Sequence, residues 1–253
     1  MINLIYSEIL KLKRLHLTIL LVITAMLNTI FLSDGMGIFY GQSIKLEKYL
    51  YQVEFISFAL IFSLLFINIC SYIFSREFTD GTVNTLYTYP FSKYKVFVGK
   101  IITMSLIISI VYIVQFIIMF ILIALFSNDT ITKEILRYHI NVNLFSLIFQ
   151  IVLIPISAFL GLVSKNLVIP FIYSIIVSVL NIYLQVKLPE NLIYYIPTLF
   201  PTLNVLKTEA LHNNVLSNII SGIFPIYTLI IAIFTFILSM TMCLIYLHNS
   251  DTY

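Results

Sequence analysis

The sequence predicts an all-α integral membrane protein, and three observations support this fold class. Hydrophobic residues make up 60% of the 253 residues and charged residues only 10%, whereas soluble domains carry about 25% charged residues. The mean hydropathy of +1.05 is too high for a soluble domain. The apolar residues also form long uninterrupted runs, whereas the strands of a membrane β-barrel alternate between apolar and polar residues. The chain is therefore predicted to lie in a bilayer and to lack a soluble catalytic domain.

Six apolar runs have the length of a membrane-spanning helix. About 20 residues are needed to cross the roughly 30 Å of hydrocarbon in a bilayer. The predicted spans are residues 15–32, 55–74, 101–126, 142–163, 167–186 and 223–247. Because these runs leave no room for a soluble catalytic domain, residues 1–253 are predicted to form a single transmembrane domain.

Residues 1–14 are predicted to form a helix that lies in the plane of the lipid headgroups. Apolar residues recur there at helical spacing and charged residues occupy other positions of the helical wheel. The apolar set is Ile2, Ile5, Ile9 and Leu12, and the charged set is Glu8, Lys11 and Lys13. A plain basic segment before the first span is the alternative. The basic residues at positions 11, 13 and 14 place the N-terminus in the cytoplasm by the positive-inside rule, and six spans place the C-terminus there too.

A polar stretch, residues 75–100, separates the second and third predicted spans. It contains four of the 14 lysine and arginine residues, namely Arg76, Lys93, Lys95 and Lys100. With the N-terminus in the cytoplasm, this stretch is cytoplasmic as well. A water-soluble insert of this kind in an otherwise apolar chain indicates a contact with a soluble partner.

The polar stretch is predicted to contain a short helix. Thr79 or Asp80 is expected to cap its first turn, and Pro90 is expected to end it. Gly81 would allow the close approach of another backbone or relieve crowding, and Ser92 is expected to cap the following helix. The apolar stripe consists of Val83, Leu86 and Tyr87. A short helix with one apolar face is suited to dock into a groove of another protein.

The connections on the opposite side of the membrane are predicted to be loops and surface helices. Residues 33–54 are expected to form an ordinary loop, and residues 128–141 a loop with a short surface helix. Residues 188–222 are long and apolar for a connection. Within them, 192–199 and 215–220 are too short to span a bilayer. They are predicted to be re-entrant half-helices in the outer leaflet, with a pair of surface helices as the alternative.

Charged residues are nearly absent from the six runs, so the sequence suggests neither a proton relay nor an ion site. Polar residues inside the runs include the amides Asn28, Asn68, Gln115, Gln150 and Asn181. Such groups form hydrogen bonds between helices or line a path for cargo, and the first role is favoured.

The sequence predicts no catalytic, cofactor or metal site. Its four histidines (His16, His139, His212 and His248) are expected to be isolated at or beyond span ends, whereas an intramembrane metalloprotease needs paired histidines with a glutamate. Cys70 and Cys243 are expected to be buried apolar residues. Gly99 and Lys100 do not belong to a phosphate-binding loop, because the upstream glycine and the following hydroxyl of that motif are missing.

At the polar stretch the chain resembles the permease subunits of type 2 ABC exporters. These subunits carry the signature E-x-x-x-G-T-x-x-x-L-x-x-x-P-x-S-R/K, ending in G-K. The matching residues are Glu77, Gly81, Thr82, Leu86, Pro90, Ser92, Lys93, Gly99 and Lys100. The order of the other elements is similar over almost the whole chain. Asn84 departs from the family pattern, which often has an acidic residue at this position.

The resemblance implies that residues 75–100 form a cytoplasmic coupling loop whose helix is seated in a cleft of a separate ATPase subunit. The residues implied in this contact are Glu77, Gly81, Thr82, Val83, Leu86, Tyr87 and Pro90. This chain would bind no cofactor, and the partner subunit would use ATP and Mg. Two ATPase copies and a second or homologous permease copy would complete the transporter in the bacterial cytoplasmic membrane.

Compact permeases of this kind resemble exporters of bacteriocins and of cytolytic peptides such as phenol-soluble modulins, and also lantibiotic immunity permeases. The resemblance therefore implies a hydrophobic or amphipathic peptide as cargo. Antibiotic or lipid-like cargo is one alternative, and a membrane receptor or immunity protein that transports nothing is another.

Overall fold

The computed structural model describes residues 2–14, 17–31, 45–81, 92–205 and 226–249, and these residues form helices and no β-strand. The helices are α1 (Ile2–Arg14), α2 (Leu17–Phe31), α3 (Leu46–Ile56), α4 (Phe62–Thr79), α5 (Lys93–Phe126), α6 (Lys133–Val152), α7 (Ile154–Ser164), α8 (Val168–Lys187), α9 (Glu190–Ile193) and α10 (Ile226–Asn249). A π-helical turn, Ser57–Ile61, joins α3 to α4, and a 3-10 helix, Pro197–Thr202, follows α9.

Five helices in the described part of the chain are long and apolar enough to cross a bilayer: Leu46–Thr79, Lys93–Phe126, Lys133–Ser164, Val168–Lys187 and Ile226–Asn249. They correspond to the second to sixth predicted spans. The first predicted span, 15–32, corresponds to α2, which has 15 residues and a length of about 22 Å at 1.5 Å per residue. That is shorter than the hydrocarbon core, so the count of six spans stays a prediction.

Two helices begin earlier than the sequence predicts. Residues 46–54 were expected in a loop but form most of α3, and residues 133–141 form the first turns of α6 rather than a separate surface helix. Apolar residues in α3 recur at helical spacing and are buried, among them Leu46, Leu50 and Val53. They pack with Met119 and Ile123 of α5. A span prediction based on hydropathy misses such turns, because the charged residues on their exposed face lower the mean hydropathy of the segment.

Helix α4 lies in the centre of the bundle and packs closely against α7. A Cβ atom at Gly161 would lie only 2.5 Å from the backbone oxygen of Ser71, so a glycine is required for this contact. The Ser71 hydroxyl donates a hydrogen bond of 2.8 Å to the Ser157 carbonyl. Small residues at a helix crossing let two backbones approach in this way.

Helices α6 and α7 are separated by a turn at Leu153, and Pro155 lies in the first turn of α7. Proline is tolerated at that position because the N–H groups of the first turn have no helical partner. Pro170 also lies in the first turn of its helix, as the third residue of α8. Between α7 and α8, Lys165 adopts a left-handed conformation with φ of 51°, and this turn places the two helices beside each other.

The predicted re-entrant region is described only in part, because residues 206–225, including 215–220, lie outside the described residues. In the described part, Leu199 and Phe200 of the 3-10 helix are fully buried and pack in a cluster with Phe149 of α6 and Ala232 of α10. This segment is therefore part of the helical bundle. Whether it enters the outer leaflet stays a prediction.

Candidate functional site: the base of the polar loop

The candidate site is the end of the bundle where α4 ends at Thr79 and α5 begins at Lys93. We refer to it as the loop end, and to the opposite end as the far end. Residues 82–91 lie outside the described residues. The predicted coupling residues Thr82, Val83, Leu86, Tyr87 and Pro90 therefore have no described position, whereas Glu77 and Gly81 do.

Thr79 and Asp80 end a helix rather than begin one, so the predicted helix start at these residues is wrong. The Asp80 backbone N–H still donates to the Arg76 carbonyl at 2.8 Å, and Asp80 is the C-terminal cap of α4. Gly81 has a φ of +64°, and a Cβ atom there would meet no atom of the described residues within 4 Å. Gly81 is therefore the left-handed residue that terminates α4. Crowding within the described part of the chain does not require a glycine here, and the close approach of another backbone stays a prediction.

Ser92 caps α5, as predicted. Its backbone is extended, and its side-chain oxygen accepts a hydrogen bond of 3.4 Å from the Lys95 backbone N–H. This bond satisfies one of the N–H groups that have no partner at a helix start. The loop is thus bounded by a glycine at one edge and a serine cap at the other.

Four charged side chains from three helices meet at the loop end, and we call them the loop-base cluster: Glu8 and Lys11 of α1, Glu77 of α4 and Lys100 of α5. The Lys100 ammonium lies 2.6 Å from a Glu77 carboxylate oxygen. Lys11 contacts Glu8 at 2.5 Å and lies 3.9 Å from Glu77. The two positive and two negative charges cancel.

Lys100 is only 2% exposed. Burying an ammonium group is costly unless it is paired and hydrogen-bonded. Besides Glu77, Lys100 donates to the Ile73 carbonyl at 3.1 Å, and its charge lies over the Phe74 ring, 5.4 Å from the centroid. The Lys100–Glu77 pair therefore joins the first turns of α5 to the last turns of α4, near the residues where the loop begins and ends.

Helix α1 packs against this site instead of presenting Glu8 to the surface. Glu8 is 7% exposed, and Leu12, one turn later, is 2% exposed. Because 8 and 12 are one turn apart, they share the packed face, so the sequence-based placement of Glu8 on another side of the wheel is wrong. Leu4 lies against Gly99, where a Cβ atom would be 3.7 Å from the Leu4 Cβ. The N-terminal helix is therefore part of the loop base.

Two of the intramembrane amides, Asn68 and Asn181, form hydrogen bonds to neighbouring helices. Asn68 donates to the Ser174 hydroxyl at 2.7 Å. Asn181 donates to the Ser63 hydroxyl at 3.2 Å and to the Ala59 carbonyl. These bonds join α8 to the π-helical turn and α4, and they involve side chains on the buried face of α8. A role of these amides in a cargo path stays a prediction.

A second group of amides surrounds the π-helical turn. The Ser57 hydroxyl accepts hydrogen bonds from Asn28 of α2 and from Gln115 of α5, the latter at 2.6 Å. Gln150 is 3% exposed and lies on a buried polar face of α6. That face consists of His139, Asn143, Ser146 and Gln150. Hydrogen bonds at the π-helical turn thus join both α2 and α5 to the long helix Leu46–Thr79.

His139 is not isolated, so this part of the sequence analysis is wrong. Its Nδ1 atom lies 3.0 Å from both carboxylate oxygens of Glu54 on α3. Glu54 was assigned to a loop because the second span was predicted to begin at residue 55. Among the described residues, no group of three or more His, Cys, Asp or Glu could hold a metal ion. Cys70 and Cys243 are free and buried, as predicted.

The chain was compared with known families and proteins. Residues 4–181 match the profile of a family described as ABC-2 family transporter protein. This match contains most of α1, the polar loop, the loop-base cluster and most of α8. A search of curated proteins and a search of solved structures each gave no match.

Proposed function

Because the chain belongs to the ABC-2 family of transporter proteins, we propose that it is the membrane subunit of an exporter that moves hydrophobic or amphipathic peptides out of the cell. Proteins of this family are membrane transport components without a catalytic activity of their own, and they work with an ATPase subunit. The proposal adds three points to the family assignment: the outward direction, the peptide cargo and the docking of residues 82–91 into the ATPase.

The loop-base cluster is the observation that carries the proposal. Lys100 joins α5 to Glu77 of α4 at 2.6 Å, and Lys11 of α1 lies 3.9 Å from the same carboxylate. A soluble partner that moves residues 82–91 would therefore move both flanking helices together. Rigid helices and packed interfaces transmit such shifts because they have few alternative arrangements.

The apolar stripe of Val83, Leu86 and Tyr87 is the proposed binding surface for the ATPase subunit. In this arrangement the loop end faces the cytoplasm, and both termini lie on that side. The ATPase subunit binds and uses ATP and Mg, because the sequence of this chain contains no phosphate-binding loop. Two ATPase subunits and two copies of this chain, or this chain and a homologous permease, make up the proposed transporter.

The peptide cargo is proposed from the chemistry of the bundle interior. Amide and hydroxyl groups lie among aromatic rings in its buried core, as where Phe58 and Phe62 pack against Tyr112 with ring centroids 5.2 Å and 4.8 Å apart. A path that opens between these helices during transport would present groups that suit a molecule with both apolar and polar parts. Antibiotic or lipid-like cargo fits the same chemistry, and a receptor or immunity protein without transport is the remaining alternative.

The test is ATP hydrolysis and peptide uptake by vesicles that contain this chain with its ATPase subunit. Amphipathic helical peptides are expected to stimulate ATP hydrolysis and to accumulate on the side opposite the ATPase. Leu86→Asp is expected to abolish both effects while the chain still inserts into the membrane, because a charge on the apolar stripe prevents seating. Thr130→Asp adds the same charge at the exposed far end and serves as the control.

The results discriminate between the candidates. Stimulation by lipids or antibiotics but not by peptides would favour the alternative cargo. If no compound stimulates hydrolysis, the receptor or immunity role is favoured. If Leu86→Asp transports like the Thr130→Asp control, docking through the apolar stripe is refuted.

A further inference from the structure

Several buried amides of the bundle have an oxygen that accepts no hydrogen bond. Among the described residues, seven buried side-chain polar atoms have no hydrogen-bond partner, and all seven are oxygens. One belongs to the Ser75 hydroxyl, and six belong to the amides of Asn28, Gln52, Gln115, Gln150, Asn181 and Gln185. We call four of them the far-half amides: Asn28, Gln115, Asn181 and Gln185. Each of these four residues is at most 8% exposed.

The far-half amides lie in the half of the bundle nearer the far end. Helix α5 begins at the loop end, and Gln115 lies in its second half. Helix α8 also begins at the loop end, where the Lys165 ammonium lies over the Phe78 ring of α4, and its last two turns contain Asn181 and Gln185. Asn28 lies in the last turn of α2. Three helices therefore bring these amides to the same half of the interior.

The Ser57 hydroxyl sets the orientation of two of the amides. The side-chain nitrogens of Asn28 and Gln115 both donate to it, the latter at 2.6 Å. The one hydrogen of this hydroxyl is donated to the Val53 carbonyl. Turning either amide over would place its oxygen against a hydroxyl that has no hydrogen left to donate. Both amide oxygens are therefore left without a donor.

The two amides of α8 are oriented in the same way. Asn181 donates to the Ala59 carbonyl at 3.3 Å, and a carbonyl can only accept. Gln185 donates to the Thr202 hydroxyl, whose own hydrogen is donated to the Leu199 carbonyl at 2.7 Å. In both residues the nitrogen must face its acceptor, so the unpartnered atom is the oxygen.

Unpartnered buried acceptors need a physical reason. A buried polar group without a partner destabilises a fold, and apolar side chains at these positions would avoid the cost. A bound ligand is one explanation for such a group in a native protein. Because the unpartnered atoms of the far-half amides are all acceptors, the matching ligand donates hydrogen bonds and accepts none.

We propose that the far-half amides bind the lysine ammonium groups of the cargo. An ammonium group has three hydrogen-bond donors and no acceptor, and carbonyl oxygens replace the hydration shell of a cation in potassium channels. This inference rests on the proposed peptide cargo and narrows it to amphipathic peptides with lysines on the polar face. The oxygens are buried, so the cargo contacts them when α2, α5 and α8 move away from the long helix Leu46–Thr79.

The first experiment compares two peptides that differ only in their hydrogen-bond donors. Both are amphipathic helices with lysines on the polar face. In the second peptide every lysine is trimethylated, which keeps the charge and removes the N–H groups. Their dissociation constants are measured with the full chain in lipid nanodiscs, and empty nanodiscs give the background. The unmodified peptide is expected to bind about tenfold more tightly, because hydrogen bonds to charged groups are among the stronger ones.

The comparison does not require the ATPase subunit. If the chain on its own adopts the open arrangement for only a fraction of the time, both affinities decrease by that fraction. The ratio of the two dissociation constants stays the same, so this ratio is the quantity that tests the site.

The second experiment measures the same ratio in Gln115→Leu and Asn181→Leu. Each variant removes one unpartnered oxygen and is expected to bring the ratio closer to one. Asn141→Leu removes an exposed amide of α6 and is the matched control, which should keep the wild-type ratio. A variant that folds incompletely lowers both affinities alike, so the ratio still reports on the site.

Each outcome has a definite meaning. Equal affinities of the two peptides for the wild-type chain would overturn the proposal and leave the peptide cargo in place. A ratio that Gln115→Leu and Asn181→Leu leave unchanged would overturn it as well, since water would then be a sufficient partner for these oxygens. If neither peptide binds the chain more than it binds empty nanodiscs, the peptide cargo itself is refuted, and the proposal with it.

Discussion

The loop-base cluster predicts that Lys100→Met destabilises the chain strongly. The substitution keeps most of the side chain's volume but leaves Glu77, which is 9% exposed, without its contact of 2.6 Å. Removing one partner of a buried ion pair costs about 3–5 kcal/mol. Lys11 remains 3.9 Å from Glu77 and compensates part of the charge, so we expect the lower end, about 3 kcal/mol.

The assay for Lys100→Met is the midpoint of thermal unfolding in lipid nanodiscs. A loss of this size corresponds to a decrease of roughly 6–12 °C for a chain of this length. The double variant Lys100→Met/Glu77→Gln should recover most of the loss, because it leaves no unpaired charge. Lys95→Met is the matched control, since Lys95 is exposed on the same helix. If Lys100→Met unfolds at the same temperature as Lys95→Met, the cluster does not hold α4 and α5 together.

Three further predictions concern packing and helix ends. Gly161→Val should greatly reduce the yield of folded protein in size-exclusion chromatography, because its Cβ would lie 2.5 Å from the Ser71 oxygen, whereas Gly99→Ala, with 3.7 Å to Leu4, should be tolerated. Gly81→Val should lower the unfolding midpoint, because a β-branched residue in the left-handed conformation costs about 1–2 kcal/mol. Gly81→Asn should cost less, and equal midpoints for the two variants would contradict the left-handed role of Gly81. Ser57→Ala should cost about 1–3 kcal/mol by removing the acceptor shared by Asn28 and Gln115, and an unchanged midpoint would show that these amides find other partners.

Local signals were sufficient to predict much of the fold. Long apolar runs located the five described helices that can cross a bilayer, and the serine before a basic helical turn identified the Ser92 cap. Both features depend on residues that are neighbours in sequence. The burial of the two cysteines followed from their positions in apolar runs in the same way.

The rest depends on contacts between distant residues or on backbone conformation. Glu54 and His139 are 85 residues apart in sequence, so their pairing cannot be inferred from either local pattern. The sequence analysis placed Glu8 away from the packed face of α1 and Lys100 in a water-soluble stretch, because the buried contacts of both residues involve other helices. The left-handed conformation of Gly81 was missed because the helix before it extends beyond the apolar run that was used to predict the span.

The central claim is that residues 82–91 lie in the cytoplasm and contact the ATPase subunit. The most direct measurement is thiol labelling of Leu86→Cys in whole cells and in inverted vesicles with a reagent that does not cross membranes. Lys187→Cys, an exposed residue at the far end, reports the opposite side. We predict that Leu86→Cys reacts only in inverted vesicles and that the bound ATPase protects it. Labelling of Leu86→Cys from outside the cell would contradict the account.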